Sequence, residues 1–335
     1  MKTIFTKDAA GTVLAHDLTQ IIPGEYKGPR FKKGHIVTDE DIPVLLSMGK
    51  ERLYVLELTD DDVHEDEAGE RIARSASGVN TRLVKKGEGK VEINSSVRGV
   101  LRIDRERLSR LNSDDEVMFS TIHGDRLVEE GDLLAGTRVI PLYVNKTVVE
   151  RAESIGKLLW VDPVKSCNVG MVITGSEIYN GIIEDRFSDI LSKKFAGLGC
   201  TVICRLLSDD REDMIAEKIL EAKSAGAEII AVTGGMSVDP DDRTPAGIRK
   251  AGVSIESYGA PVLPGAMFLL GYLEDTPVVG LPGCVMYSRA TIFDLVMPRL
   301  LAGERVTKRE IKAYAEGGLC TGCKPCTWPK CGFGT

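Results

Sequence analysis

Aromatic side chains are scarce in this chain, 5% of 335 residues, although apolar residues make up 43%. That combination points to aliphatic cores of the kind found in α/β proteins. Long apolar runs are missing as well. No segment approaches the ~20 apolar residues of a membrane span, and Met1–Asp8 holds no stretch suited to a signal peptide. The expectation is therefore a cytoplasmic protein with no membrane partner. A concentrated basic stripe is also lacking, and the net charge is −7. Nucleic-acid binding needs clustered Lys and Arg, so that class of partner is excluded. An anionic small molecule is not, because backbone amides and a metal ion can hold one locally. Fixed-period repeats and low-complexity tracts are absent too. The length exceeds one ordinary core, so two or three domains are expected.

Four segments emerge along the chain. Residues 1–60 read as a small α/β unit. Val44–Leu46 and Met48 mark a short helix, entered through Thr38–Asp41 and closed by Gly49, and Leu53–Leu58 follows as a strand. The acidic stretch 59–69 reads as exposed. Residues 75–145 read as a β-rich module, a partly closed barrel, with short apolar runs between Gly, Asn and Asp and one helix near 104–111. Residues 146–306 open with a connecting helix at 148–159 and then alternate strand, turn and helix, which implies a parallel sheet with ligands at the carboxyl ends of its strands. Residues 307–335 form a cysteine-rich tail.

One turn stands out. The apolar strand Glu228–Val232 stops at Thr233–Gly234–Gly235, and Ser237, Asp239, Asp241 and Asp242 crowd into the next positions. Paired glycines there let a ligand reach bare backbone N–H groups, which suits phosphate. Carboxylates beside such a turn repel phosphate unless a divalent cation lies between them, so the loop reads as a phosphate-plus-magnesium site. Three further turns follow strands of the same region: Thr174–Gly175–Ser176–Glu177, Ser208–Asp209–Asp210, and Gly280–Leu281–Pro282–Gly283. Topology sends all four to one rim. Blander readings stand alongside. Asp210 is equally placed to cap the helix beginning near Arg211, Glu177 to sit on an exposed loop, and Asp239, Asp241 and Asp242 to form a solvated acidic turn.

The four turns together resemble the molybdopterin-binding fold of molybdenum-cofactor biosynthesis, above all the molybdopterin molybdotransferase family that includes gephyrin's E domain. Thr174–Ile178 resembles that family's T-G-D/S-E-L turn, Asp209–Asp210 its acidic pair, Gly234–Asp242 its G-G-V-S-V-G-x-x-D loop, and Gly280–Val285 its G-L-P-G-N-P turn. Lys33–Gly49 is similar to the helix–strand lead-in of the same family. The resemblance implies a three-layer α/β domain with a parallel sheet. It also implies binding of molybdopterin or its adenylate, and molybdate insertion aided by Mg2+. On these positions the family's acidic residues fall on Glu177, Asp210 and Asp242. Thr174, Gly175, Ser176, Thr233, Gly234, Gly235, Ser237, Asp239, Pro282, Gly283 and Cys284 become the ligand cradle. Two positions differ: Ala266 stands where the family carries lysine, and Cys284–Val285 where it carries Asn-Pro. Two other outcomes stay open, a non-catalytic molybdopterin carrier or sensor, and a nucleotide pyrophosphatase of the competence-damage-inducible family, which Asp241–Thr244 also resembles. A homo-oligomer is expected, with a molybdoenzyme or biosynthetic protein as a further partner.

Eight cysteines are present, and those at 167, 200, 204 and 284 are scattered. The remaining four, Cys320, Cys323, Cys326 and Cys331, are packed into one short segment. In a reducing compartment such density indicates metal ligation and not disulfides. The C-x-x-C-x-x-C triplet points to an iron–sulfur cluster, whereas Zn2+ usually takes two C-x-x-C pairs across a longer loop; both occupants remain open, as do unmetallated thiols.

Overall fold

The computed structural model describes residues 2–22, 26–56, 61–236 and 243–334. Contacts divide the chain into two units. The first comprises residues 1–96, 103–122 and 130–160, the second 97–102, 123–129 and 161–335.

In the first unit, Lys2–Phe5 pairs antiparallel with Arg52–Val55, and Leu18–Ile22 with Tyr26–Phe31. Ala9, Leu14, Val37, Leu45 and Leu53 form a small core beneath them, and helix Asp41–Ser47 contributes Leu45 to it. Asp41 Oδ2 accepts from Thr38 N at 2.9 Å, which sets the helix entry. The β-rich region is an open four-stranded antiparallel sheet in the order Thr81–Gly87, Lys90–Ser95, Leu133–Val139, Val117–Thr121, and not a closing barrel. The acidic stretch also departs from expectation. Glu65–Ala76 is a helix that buries Ala68, Ile72, Ala73 and Ala76. Three of its four acidic residues, Glu65, Asp66 and Glu67, occupy the first turn, where they complement the helix dipole. Gly69 lets the helix meet the neighbouring hairpin turn, since a Cβ there would come within 2.2 Å of the Gly89 carbonyl oxygen.

The second unit is built on one six-stranded sheet. Its strands are β1 (Asn168–Thr174), β2 (Thr201–Ser208), β3 (Ile229–Thr233), β4 (Ser254–Tyr258), β5 (Leu269–Leu273) and β6 (Thr276–Leu281), in the order β2-β1-β3-β6-β5-β4. The four strands β2, β1, β3 and β6 run parallel, while β5 is antiparallel to both neighbours. Every residue of β3 is buried, as expected for a strand covered on both faces. The helices are α1 (Ser176–Tyr179), α2 (Phe187–Gly197), α3 (Glu212–Ser224), α4 (Thr244–Lys250), α5 (Ile292–Leu301) and α6 (Lys308–Ala313). Leu191 and Phe195 of α2, Phe293 and Val296 of α5 and Ile311 of α6 pack on one face of the sheet. Ile215 and Ile219 of α3 and Ile248 of α4 pack on the other. This is a three-layer α/β/α domain with a mostly parallel sheet.

A buried ionic network closes the end of α5. Arg299 is 5% exposed. It donates to Glu304 Oε2 at 2.9 Å, Glu310 Oε1 at 2.6 Å and the Tyr314 hydroxyl at 3.3 Å. Arg102 also bonds Glu304 and reaches Asp125 Oδ1 at 2.8 Å and Asp162 Oδ2 at 2.9 Å. Burial pushes the Glu304 carboxyl up, but hydrogen bonds from Arg299 outweigh it and hold its pKa down at about 2. Truncating Arg299 strands these carboxylates, so Arg299→Ala is expected to cost about 3 kcal/mol or more in urea unfolding. The depressed pKa fixes a sign. Stability owed to ionised Glu304 is fully present above its ordinary value of 4.5 and is lost as pH falls through about 2. Glu304→Gln should lack that acid-limb slope when stability is measured across the same window.

Candidate functional site

Hydrogen-bond register brings the parallel strand ends to one level. Thr174 lies opposite Ser208, Ile173 opposite Thr233, and Thr233 opposite Leu281. The chain therefore leaves β1, β2, β3 and β6 at the same sheet edge. Of the expected cradle, Thr174, Gly175, Ser176, Thr233, Gly234, Gly235, Pro282, Gly283 and Cys284 lie on this edge. So do Glu177 and Asp210. Ser237, Asp239 and Asp242 fall outside the described residues.

Cross-bonds knit the turns together. Gly175 N donates to Ser208 O at 3.1 Å. Ser176 N donates to Asp210 Oδ2 at 2.8 Å. Asp210 therefore does not cap the following helix; its carboxylate spans two rim turns. The residue before α3 is Arg211, whose amide is held at 3.0 Å by Asp209 Oδ1. Burial works to raise the Asp209 pKa, but hydrogen bonds from Arg211 leave it lowered, so Asp209 is committed to an ion pair. Glu177 is exposed on α1. Its Oε2 lies 3.8 Å from where a Gly175 Cβ would sit, so the carboxylate stays by the rim.

The Gly234 turn is the tightest part of the site. With φ +88°, Gly234 occupies left-handed backbone, and a Cβ there would come within 2.2 Å of the Thr174 carbonyl oxygen. Gly235 follows at φ +52°. Met236 then anchors the turn: it is 4% exposed and packs on Gly280 of β6, the neighbouring strand. Beneath the turn, Thr174 Oγ1 donates to Thr233 O at 3.0 Å and lies 2.9 Å from Thr244 Oγ1. The Thr233 hydroxyl is fully buried and has no hydrogen-bond partner among the described residues. A buried hydroxyl without a partner costs on the order of 1–3 kcal/mol, and a ligand group can relieve that cost.

The last turn is a single 3-10 turn, Gly283–Met286, following buried Pro282. Burial raises the Cys284 thiol above its ordinary pKa, so the side chain is not a ready thiolate. Two members of the site, Met236 and Thr244, lie in the stretches that carried the resemblance but were not among the expected cradle residues. For Thr244 the available signal was Pro245 directly after it, since proline favours the first turn of a helix.

All four tail cysteines line one cavity of about 500 Å3. Among the described residues, no three His, Cys, Asp or Glu side chains are arranged to hold a single metal ion.

The class defined by this fold and rim is a parallel α/β domain that gathers glycine turns and carboxylates at one sheet edge. Comparison supplies the family. Residues 170–302 match a family described as "Probable molybdopterin binding domain", and this segment is a domain of that family. Residues 3–57 match a domain family of unknown function. A curated relative, the molybdopterin molybdenumtransferase of Haemophilus influenzae, is 29% identical over 193 residues, 56% of this chain. The match spans 45% of that relative's length. Among solved structures, the molybdopterin biosynthesis enzyme MoaB from Thermus thermophilus is 22% identical, with 41% of this chain and 98% of that one covered, at a TM-score of 0.35. CinA of Thermoplasma acidophilum, titled as of unknown function, is 16% identical with the same coverage of both chains and a TM-score of 0.36. Among the described residues no helix is long and apolar enough to cross a membrane.

Gly234→Ala is expected to force the turn off Thr174. Strain and the clash together should cost more than about 1 kcal/mol in thermal unfolding and abolish ligand binding at the rim.

Proposed function

We propose that this chain binds molybdopterin or its adenylate at the Thr233–Gly235 rim and acts in molybdenum-cofactor assembly as a molybdotransferase-like enzyme. The observation that carries the reading is the Thr233–Gly234 corner. Among the described residues a buried hydroxyl lacks a partner there, and the adjoining backbone is kept bare by a glycine that no other residue can replace without a clash. Both features suit a phosphate group approaching from the rim. The family match over residues 170–302 supports the pterin as its bearer.

The residues divide the work. Backbone amides of Gly234, Gly235 and Gly283 hold phosphate oxygens, with Ser237 and Asp239 completing the loop. Thr233 donates its hydroxyl to the ligand, while Thr174 and Thr244 fix the floor below. Glu177, Asp210 and Asp242 carry the negative charge that a hard divalent cation requires, and oxygen donors of this kind suit Mg2+. Mg2+, when bound, polarises the phosphoryl oxygens of an adenylate and offsets the charge on departing AMP. Asp210 also positions the Ser176 amide, so it couples the cation to the neighbouring turn.

Molybdate is the second substrate under this reading, and the tail cysteines form a thiolate site for an iron–sulfur cluster or Zn2+. The protein works in the cytoplasm as a homo-oligomer that hands its product to a molybdoenzyme or biosynthetic partner. Ala266 and Cys284–Val285, at positions where molybdotransferases resemble one another in carrying Lys and Asn-Pro, favour a second reading as a pterin carrier without turnover.

Protein purified from a host that makes the cofactor should carry a fluorescent pterin. Thr233→Val should keep or raise thermal stability while weakening pterin binding about tenfold. Undiminished affinity in that variant contradicts the cradle. Glu177→Gln combined with Asp210→Asn should retain the pterin but lose Mg2+-dependent release of AMP from the adenylate, read by chromatography. AMP release that requires molybdate marks a transferase, hydrolysis of ADP-ribose without molybdate marks a pyrophosphatase, and pterin bound without turnover marks a carrier.

A further inference from the structure

We propose that Cys167 and Cys200 form an oxidisable thiol pair that a small neutral hydroperoxide converts to a disulfide. Nothing in the rim reading is needed for it. The pair lies at the amino ends of β1 and β2, the opposite end of the sheet from the four turns, because Cys167 directly precedes β1 and Cys200 directly precedes β2. Strand register sets Asn168 opposite Thr201, so the residues before them are neighbours too. Paired strands run about 4.8 Å apart, inside the Cα separation of about 4.4–6.8 Å that a disulfide tolerates. The side chains already meet: Cys167 Sγ donates to Cys200 Sγ at 3.4 Å. Closing a bond of about 2.05 Å therefore asks the sulfurs to approach by about 1.4 Å. The backbone holds both residues for that step. Thr201 N donates to Cys167 O at 2.9 Å, and Cys200 N donates to Phe195 O, at the end of α2, at 2.9 Å.

The two thiols differ in access and in ionisation. Cys167 is half-buried and lines a cavity of about 370 Å3, whereas Cys200 is 6% exposed and does not line it. The hydrogen bond from Cys167 holds the Cys200 pKa down at about 7, against burial that pushes it up. The same hydrogen bond and burial push the Cys167 thiol up. The arrangement is a thiol facing the cavity with a ready proton acceptor behind it. The other charged groups on the cavity wall select the oxidant. Glu228, Asp275 and Glu304 stand against Lys165 and Arg305, so the lining does not favour an anionic disulfide such as oxidised glutathione. Hydrogen peroxide is neutral and small enough to enter.

The chemistry balances on these two sulfurs. Cys167 sulfur attacks one peroxide oxygen and passes its proton to the Cys200 thiolate. The O–O bond breaks, leaving Cys167 sulfenic acid and hydroxide. Hydroxide takes the proton from Cys200 and becomes water. The Cys200 thiolate then attacks the Cys167 sulfur, forming the S–S bond and expelling a second hydroxide, which solvent protonates. Both sulfurs are oxidised by one electron each, and both peroxide oxygens are reduced to the level of water. A dithiol reductant reverses the bridge by thiol–disulfide exchange.

The test uses the full chain, fully reduced and then treated with hydrogen peroxide at a dose that leaves Cys204 open to alkylation. Peptide mass mapping is expected to find the Cys167 and Cys200 peptides joined with loss of two hydrogens. Both sites should be lost to alkylation and regained after a dithiol reductant. Cys200→Ser should form no bridge and accumulate Cys167 sulfenic acid, trapped by dimedone. If both thiols stay open to alkylation in the treated wild-type chain, the proposal is overturned. Linkage of either one to a different cysteine overturns it as well. Oxidised glutathione that links the pair faster than hydrogen peroxide overturns the choice of oxidant. If Cys200→Ser fails to fold by circular dichroism, the peptide map of the wild-type chain decides alone.

Discussion

The hydrogen-bond register of β2, β1, β3 and β6 is the constraint on which the site depends. Parallel strands in register end together, and their connections must begin together. Thr174, Ser208, Thr233 and Leu281 sit at one level, so four turns far apart in the chain become neighbours without any long-range search. Gly234 converts that proximity into contact. Its lack of a side chain allows the β3 turn to rest on the last carbonyl of β1. Asp210 and Ser176 lock the next pair of turns by one hydrogen bond.

Much of this was legible in the sequence because buried parallel strands are written as unbroken aliphatic runs. Val169–Ile173, Glu228–Val232 and the stretch after Pro277 each announce themselves, and each ends at a glycine turn. Helix α2 was equally plain, with Phe187, Leu191 and Phe195 at helical spacing and Gly199 beyond. Less visible elements share a physical cause: their buried face is made of small or polar residues. Helix Glu65–Ala76 hides its apolar stripe in alanines, and α4 buries Thr244, Pro245, Gly247 and Ile248. The far half of strand β2, to Ser208, is likewise less plain because an edge strand alternates, exposing Arg205 and Leu207 while half-burying Leu206.

At the candidate site the sequence disclosed which residues arrive at the rim but not how they bond. Spacing alone left Asp210 equally suited to capping α3. Only the strand register shows that its carboxylate reaches the Ser176 amide, leaving Asp209 to hold Arg211. The Thr233 hydroxyl, without a partner among the described residues, was similarly invisible, since a threonine ending a buried strand looks like any other β-branched residue. The tail reverses the situation. Its cysteines were conspicuous in sequence and their spacing left two metals open, while the structure shows that all four line one cavity.

The central claim is that these turns form one phosphate-holding cradle. A crystal structure of the full chain with molybdopterin tests it most directly. The expected result is phosphate density within hydrogen-bonding distance of the Thr233 hydroxyl and the Gly234–Gly235 amides. A pterin bound at any other surface, with the Thr233 hydroxyl still unpartnered, contradicts the claim.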